Sequence, residues 1–172
     1  DIISVLGRVV GARGRFEVVQ GSDNQPTAIV DYAHTPDALK NILTTIHRFK
    51  KPSGKVICVM GCGGDRDRGK RPQMGRIGAQ LSDHMIITSD NPRSEDPVRI
   101  TEEIYAGVSD NDLKKATIIL DRKEAVIYAL QCAKSDDIVL VAGKGHETYQ
   151  DIQGVKHHFD DKEIIEEFLG KK

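Results

Sequence analysis

From Ala28 onward, short runs of apolar and β-branched residues alternate with longer stretches whose apolar positions recur every three or four residues, and polar loops separate the two. Runs of the first kind read as strands buried on both faces, and stretches of the second kind as amphipathic helices. The pattern predicts inner strands at 27–31, 55–60, 84–88, 117–120 and 138–142, with edge strands at 16–19 and 155–159. Thr35 followed by Pro36 is a helix-start signal, and Leu39, Ile42, Leu43, Ile46 and Phe49 then fall on one stripe. Asp121 with Glu124, and Asp160 with Glu163, are two further acidic starts, each ahead of an apolar stripe. Strands alternating with helices predict an α/β fold, a Rossmann-like and mostly parallel sheet with helices on both faces.

Residues 1–14 break the rhythm. Ile2, Ile3, Val5 and Leu6 precede a stretch rich in Gly and Arg that has no partner element, which reads as the end of an upstream unit. The expected organisation is therefore a tail and linker over 1–14 and one domain over 15–172.

Composition narrows the classes. The 172 residues suffice for one well-cored domain, and a formal net charge of -1 with 30% charged residues asks for neither a nucleic-acid nor a membrane partner. No apolar run approaches a membrane span and no signal peptide opens the chain, so a reduced, cytoplasmic setting is expected. The three cysteines lack metal-ligand spacing, and Cys58 in a strand and Cys132 on a helix read as small core residues.

The candidate chemistry sits where the strands end. The loops are Asp31 to Pro36, Gly61 to Arg71, Asp90 to Arg93, Asp121-Arg122 and Gly143 to Glu147. In a parallel sheet all five share the carboxyl edge, where open α/β sheets bind ligands. Asp90-Asn91-Pro92-Arg93 packs an acid, an amide, a turn-forming proline and a guanidinium into four residues, a set suited to a small zwitterion. Gly64 to Lys70 nearly spells a P-loop, but Arg71 stands where Ser or Thr would ligate magnesium, and Asp65 and Asp67 place carboxylates in the cradle. A glycine-rich loop with Arg66, Arg68, Lys70 and Arg71 nevertheless suits an anionic group. Asp31 at a strand end suits ribose hydroxyls, and Tyr32 or His34 could stack on a nucleoside. Neither a Ser-His-Asp nor a Cys-His arrangement is recognisable, and no strand is followed by the G-x-G-x-x-G of a dinucleotide-binding dehydrogenase.

Read together, Gly14 to Glu17, DYAHTP at 31–36, GCGGDRDRGKRP at 61–72, DNPR at 90–93 and GKGHE at 143–147 resemble, in order and spacing, the C-terminal domain of the Mur ligases, nearest to the diaminopimelate-adding class. The resemblance spans essentially 8–169. It implies a cytoplasmic, ATP- and magnesium-dependent peptide ligase of peptidoglycan synthesis, in which a central domain carries the P-loop, the metal ligands and a carbamylated lysine. An N-terminal domain would hold the UDP moiety of UDP-MurNAc-L-Ala-D-Glu. The γ-carboxyl of D-glutamate would be phosphorylated and the resulting acyl phosphate attacked by an amine of meso-diaminopimelate. On this resemblance Arg15, Asp31, Tyr32, His34 and Asn41 meet the nucleotide. Arg66 meets a carboxylate of the amino acid, and Asn91 and Arg93 hold its far carboxylate. Asp90 and Pro92 shape that loop, while Gly143 and Glu147 take the far ammonium. No catalytic group and no metal ligand is expected in the chain itself. Lysine-adding relatives depart at the fourth tetrad position, so Arg93 favours diaminopimelate. The competing readings are a nucleotide or amino-acid sensor without catalysis and the L-lysine-adding ligase of the same class.

Overall fold

The computed structural model describes residues 12–171, and within them the α/β expectation holds. Strands β1 (Glu17–Gln20), β2 (Thr27–Asp31), β3 (Val56–Met60), β4 (His84–Ile87), β5 (Ala116–Ile118) and β6 (Ile138–Ala142) form one sheet in the order β1-β2-β6-β3-β4-β5. β1 is antiparallel to β2, and every other pairing is parallel. The helices are α1 (Pro36–Phe49), α2 (Lys70–Leu81), α3 (Pro97–Tyr105), α4 (Arg122–Cys132) and α5 (Asp161–Phe168).

Strand alternation explains the two faces. Ile29, Cys58, Met60, Met85, Ile87 and Leu140 point to the side covered by α1, α2 and α3. Their neighbours Ala28, Val30, Ile57, Val59, Ile86 and Val139 point to the side covered by α4 and α5. Right-handed crossovers from β2 to β3, β4 and β5 place the first three helices on one face, and the return from β5 to β6 reverses direction and puts α4 on the other. β6 thus enters between β2 and β3, and the crevice of the sheet opens beside it.

Capping matches the sequence signals. Thr35 accepts from the Ala38 amide at 3.2 Å, Asp121 from Glu124 at 2.9 Å, and Asp160 from Lys162 at 2.9 Å. Asp96 caps α3 with Pro97 in its first turn, whereas α2 starts at Gly69 with no side-chain cap.

Several expectations need correction. The strand expected over 155–159 is not an edge of the main sheet. It is β8 (Val155–His158), paired antiparallel with β7 (Tyr149–Ile152) in a separate hairpin that periodicity did not reveal. β5 spans 116–118 and not 117–120, because the chain turns toward the Asp121 cap after Ile118. Cys132, expected in the core, is exposed at the last residue of α4, while Cys58 is fully buried. The upstream tail expected over 1–14 lies outside the described residues except for its last three.

Candidate functional site

The parallel register aligns Asp31, Ala142, Met60 and Ile87 at the carboxyl ends of β2, β6, β3 and β4, so the loops that follow converge. A cavity of about 270 Å3 opens there. Its lining brings together Tyr32, His34, Arg66, Asp90, Asn91, Arg93, Gly143 and Glu147. Lys70, Gly63 and Tyr149 complete it. Arg15, Asp31, Asn41 and Pro92 do not line it.

On one wall, Arg93 adopts a left-handed backbone (φ 51°), a conformation that costs a non-glycine residue energy and persists only where neighbours enforce it. Here the neighbour is the hairpin. The Arg93 amide donates to the Asp151 carbonyl at 3.0 Å, and the Gln153 amide donates to the Arg93 carbonyl at 2.8 Å. The guanidinium donates through Nη1 to the Gly64 carbonyl at 2.8 Å, and among the described residues its remaining donors meet no partner. Arg66 donates to its neighbour's carbonyl at 3.1 Å and is exposed, so this side of the cavity is cationic.

An ion-pair network also borders the cavity. Lys144 is fully buried, and its Nζ donates to Asn91 Oδ1 at 2.8 Å, Asp90 Oδ1 at 3.2 Å and Glu147 Oε2 at 3.4 Å. Asn91 Nδ2 donates to the same Glu147 oxygen at 3.0 Å, and the Asp151 amide donates to Asn91 Oδ1 at 2.9 Å. Gly143 has φ 116°, and a Cβ there would stand 2.8 Å from Asp90 Oδ2, so only glycine lets the loop pass the carboxylate.

Between Gly14 and the β2 loop lies a third cluster. The Arg15 guanidinium sits 5.4 Å from the Tyr32 ring centroid, and His34 and His146 pack against the same ring at 4.5 and 5.5 Å. Asp31 accepts from the Phe16 and Ala33 amides, each at 2.8 Å, and so clamps the linker to the strand end. Each of its oxygens keeps a second acceptor position. Asn41 is exposed on the second turn of α1.

The near-P-loop folds differently from a phosphate cradle. Arg71 is fully buried at the start of α2 and donates to Glu95 at 2.9 Å, Glu103 at 2.7 Å and the Gly63 carbonyl at 3.1 Å. Arg71 holds the Glu95 carboxyl down at about 2. Asp65 accepts from Ser94 Oγ at 2.6 Å, which lowers its pKa. Arg122, from the fourth loop, also points inward: burial works against its charge, but the bidentate Asp161 carboxylate (2.8 and 2.9 Å) more than offsets this. Burial raises the Cys62 thiol to about 12, which removes it as a nucleophile. Among the described residues no group of His, Cys, Asp and Glu could hold a metal ion, and no helix is long and apolar enough to cross a membrane.

Sequence reasoning missed the part played by Lys144 and Tyr149. A lysine between two glycines reads as a loop charge, and its burial comes only from the packing of the β4 and β6 loops.

The class that fold and site define is a Rossmann-like, mostly parallel sheet with a cavity lined by charges of both signs at its carboxyl edge. The chain belongs to the Mur ligase, glutamate ligase domain family, whose model matches residues 14–145. It is 53% identical over 169 residues to a protein of Bacteroides thetaiotaomicron named UDP-N-acetylmuramoyl-L-alanyl-D-glutamate-2,6-diaminopimelate ligase, covering 98% of this chain and 35% of that one. A Bacillus cereus protein of the same name is 53% identical over 168 residues, again covering 98% of this chain and 33% of its own length. A solved structure of a ligase with that name superposes with a TM-score of 0.84 at 41% identity, covering 95% of this chain and 32% of the other. The chain thus spans about a third of the length of the relatives it matches.

Proposed function

We propose that this chain is the C-terminal, amino-acid-binding and nucleotide-closing domain, over residues 15–172, of an ATP-dependent ligase that adds meso-diaminopimelate to UDP-MurNAc-L-Ala-D-Glu in peptidoglycan synthesis. The observation that carries this reading is that Arg93 and Glu147, charges of opposite sign, line one cavity, each held by the protein through part of its hydrogen-bonding capacity. The far end of meso-diaminopimelate is a carboxylate beside an ammonium, and a buried charge of either sign needs an opposite, hydrogen-bonded partner. Arg93, with the remaining Asn91 amide hydrogen, receives the carboxylate. Glu147 and the backbone of Gly143 receive the ammonium. Arg66 steers the other carboxylate, which leaves the reacting amine of the amino acid directed out of the cavity.

ATP supplies the phosphoryl group that activates the D-glutamate carboxyl as an acyl phosphate. The cationic and aromatic cluster of Arg15, Tyr32 and His34 fits a nucleotide, with Asp31 and Asn41 at its margin. Magnesium finds no such fit, because Glu95 and Glu103 are committed to Arg71 and Asp65 to Ser94. The metal is therefore assigned to the ligase's central domain, together with the UDP-sugar substrate.

The test is Arg93→Ala in the full-length ligase, with specificity constants for diaminopimelate and lysine measured before and after. A site built to pair a polar group rejects analogues lacking it by orders of magnitude. The diaminopimelate constant should fall by about 100-fold, roughly 3 kcal/mol, and the lysine constant far less. An equal fall for both would remove the assignment of Arg93 to the substrate carboxylate. A sensor without catalysis would turn over neither amino acid.

A further inference from the structure

The residue at the centre of the site does not line it. Lys144 is fully buried behind the cavity wall, and its three ammonium hydrogens meet three acceptors: Asp90 and Asn91 from the loop after β4, and Glu147 from its own loop. A buried ammonium is costly unless fully paired, so a lysine in this position must be matched by what it organises.

We infer that Lys144 is a positioning residue that, directly and through Asn91, orients Glu147 for a cationic end of the substrate. The inference rests on the functional reading above and deepens it. Lys144 and the Asp151 amide both donate to Asn91 Oδ1, at 2.8 and 2.9 Å, so the Asn91 side chain must present its Nδ2 to Glu147. That bond, at 3.0 Å, and the Lys144 contact both fall on Glu147 Oε2. Two donors therefore anchor one carboxylate oxygen, and among the described residues none meets the other, which is left for a ligand ammonium. Charge points the same way. One lysine against the carboxylates of Asp90 and Glu147 leaves a single negative charge, which one incoming ammonium neutralises.

The test uses the full-length ligase and two substrates, diaminopimelate and 2-aminopimelate, which lacks the far amino group. In Lys144→Met the KM for diaminopimelate should rise at least 10-fold with kcat nearly retained, while the KM for 2-aminopimelate changes far less. Equal rises for the two amino acids would mean general damage to the loop and would overturn the inference, as would an unchanged diaminopimelate KM. If Lys144→Met does not fold, the double variant Lys144→Met/Asp90→Asn keeps the net charge and avoids stranding two carboxylates. It should still show the diaminopimelate-specific rise, because Asn91 and Glu147 have lost their anchor. A normal KM in the double variant would assign the effect to charge alone and would sink the positioning role. Failure of the wild-type ligase to use diaminopimelate would instead sink the functional reading.

Discussion

Glu147 shows how little freedom a single side chain keeps in this site. Its Oε2 is shared by Asn91 and Lys144, so substitution by Gln preserves shape while removing the charge those two donors meet and, under the proposed function, the substrate ammonium would meet. In the full-length ligase, Glu147→Gln is expected to raise the KM for diaminopimelate by about 10- to 100-fold, the 1.5–3 kcal/mol of a charged hydrogen bond. An unchanged KM would place the ammonium elsewhere. Most residues of the cavity were legible in the sequence, because loops that follow buried strands of a parallel sheet must meet at one edge. Asp90, Asn91, Arg93, Gly143 and Glu147 were all found in this way. Lys144 was not separable from its charged neighbours in the same loop, since sequence spacing carries no information about which side chain turns inward. Asp31 shows the same limit from the other side: a carboxylate at a strand end suits a ribose, and here both of its oxygens also hold backbone amides.

Terminal signals account for part of what was read, although Asp96 and Pro97 start α3 as Thr35 and Pro36 start α1 and no helix start was named there. α1, α4 and α5 carry a capping side chain and an apolar stripe, whereas α2 begins at an uncapped glycine and the β7–β8 hairpin exposes much of both strands, so period and caps are lost together. Yet the weakly signalled elements do much to shape the site. The hairpin holds Arg93 by two backbone hydrogen bonds, and Arg71 at the start of α2 ties the Gly63 loop to Glu95 and to α3 through Glu103. This tie has a pH signature. The Glu95 carboxyl is held by Arg71 at about 2, below its usual value, so its contribution to stability is present above the unfolded value of 4.5 and is lost as pH falls through the folded one. At pH 7, Glu95→Gln should destabilise the protein by roughly 1.5–3 kcal/mol, since a buried guanidinium loses a charged partner. Below about pH 2 the variant and the wild type should unfold at the same denaturant concentration. Urea titrations across that range check this, and a pH-independent gap would show that Glu95 acts through packing and not through its charge.

At the scale of the whole molecule, the sheet places the cavity beside β6, and the Arg15 and Tyr32 cluster adjoins it through Tyr32, which lines it. Under the proposed function the described residues would supply recognition and leave phosphoryl transfer to the rest of the ligase. A phosphate cradle needs free backbone amides and a hydroxyl beside its lysine to hold magnesium. In the corresponding loop the Gly64 amide already donates to the Asn91 carbonyl, the Asp65 amide to Glu95 and the Gly69 amide to Asp67. Lys70 donates to the His34 carbonyl, and buried Arg71 occupies the hydroxyl's place. Opening this loop for a triphosphate would break the Arg71 pairs with Glu95 and Glu103 and strand a buried guanidinium, a cost of about 3–5 kcal/mol. Residues 1–172 on their own are therefore expected to release no phosphate from ATP in the presence of magnesium, with or without diaminopimelate, while the full-length ligase does so when its nucleotide substrate is added. The decisive comparison is phosphate release by the purified chain before and after Lys70→Ala. Turnover that depends on magnesium and disappears with Lys70 would make the Gly61–Arg71 loop a working phosphate site, and the division of labour between this domain and the rest of the ligase would have to be redrawn.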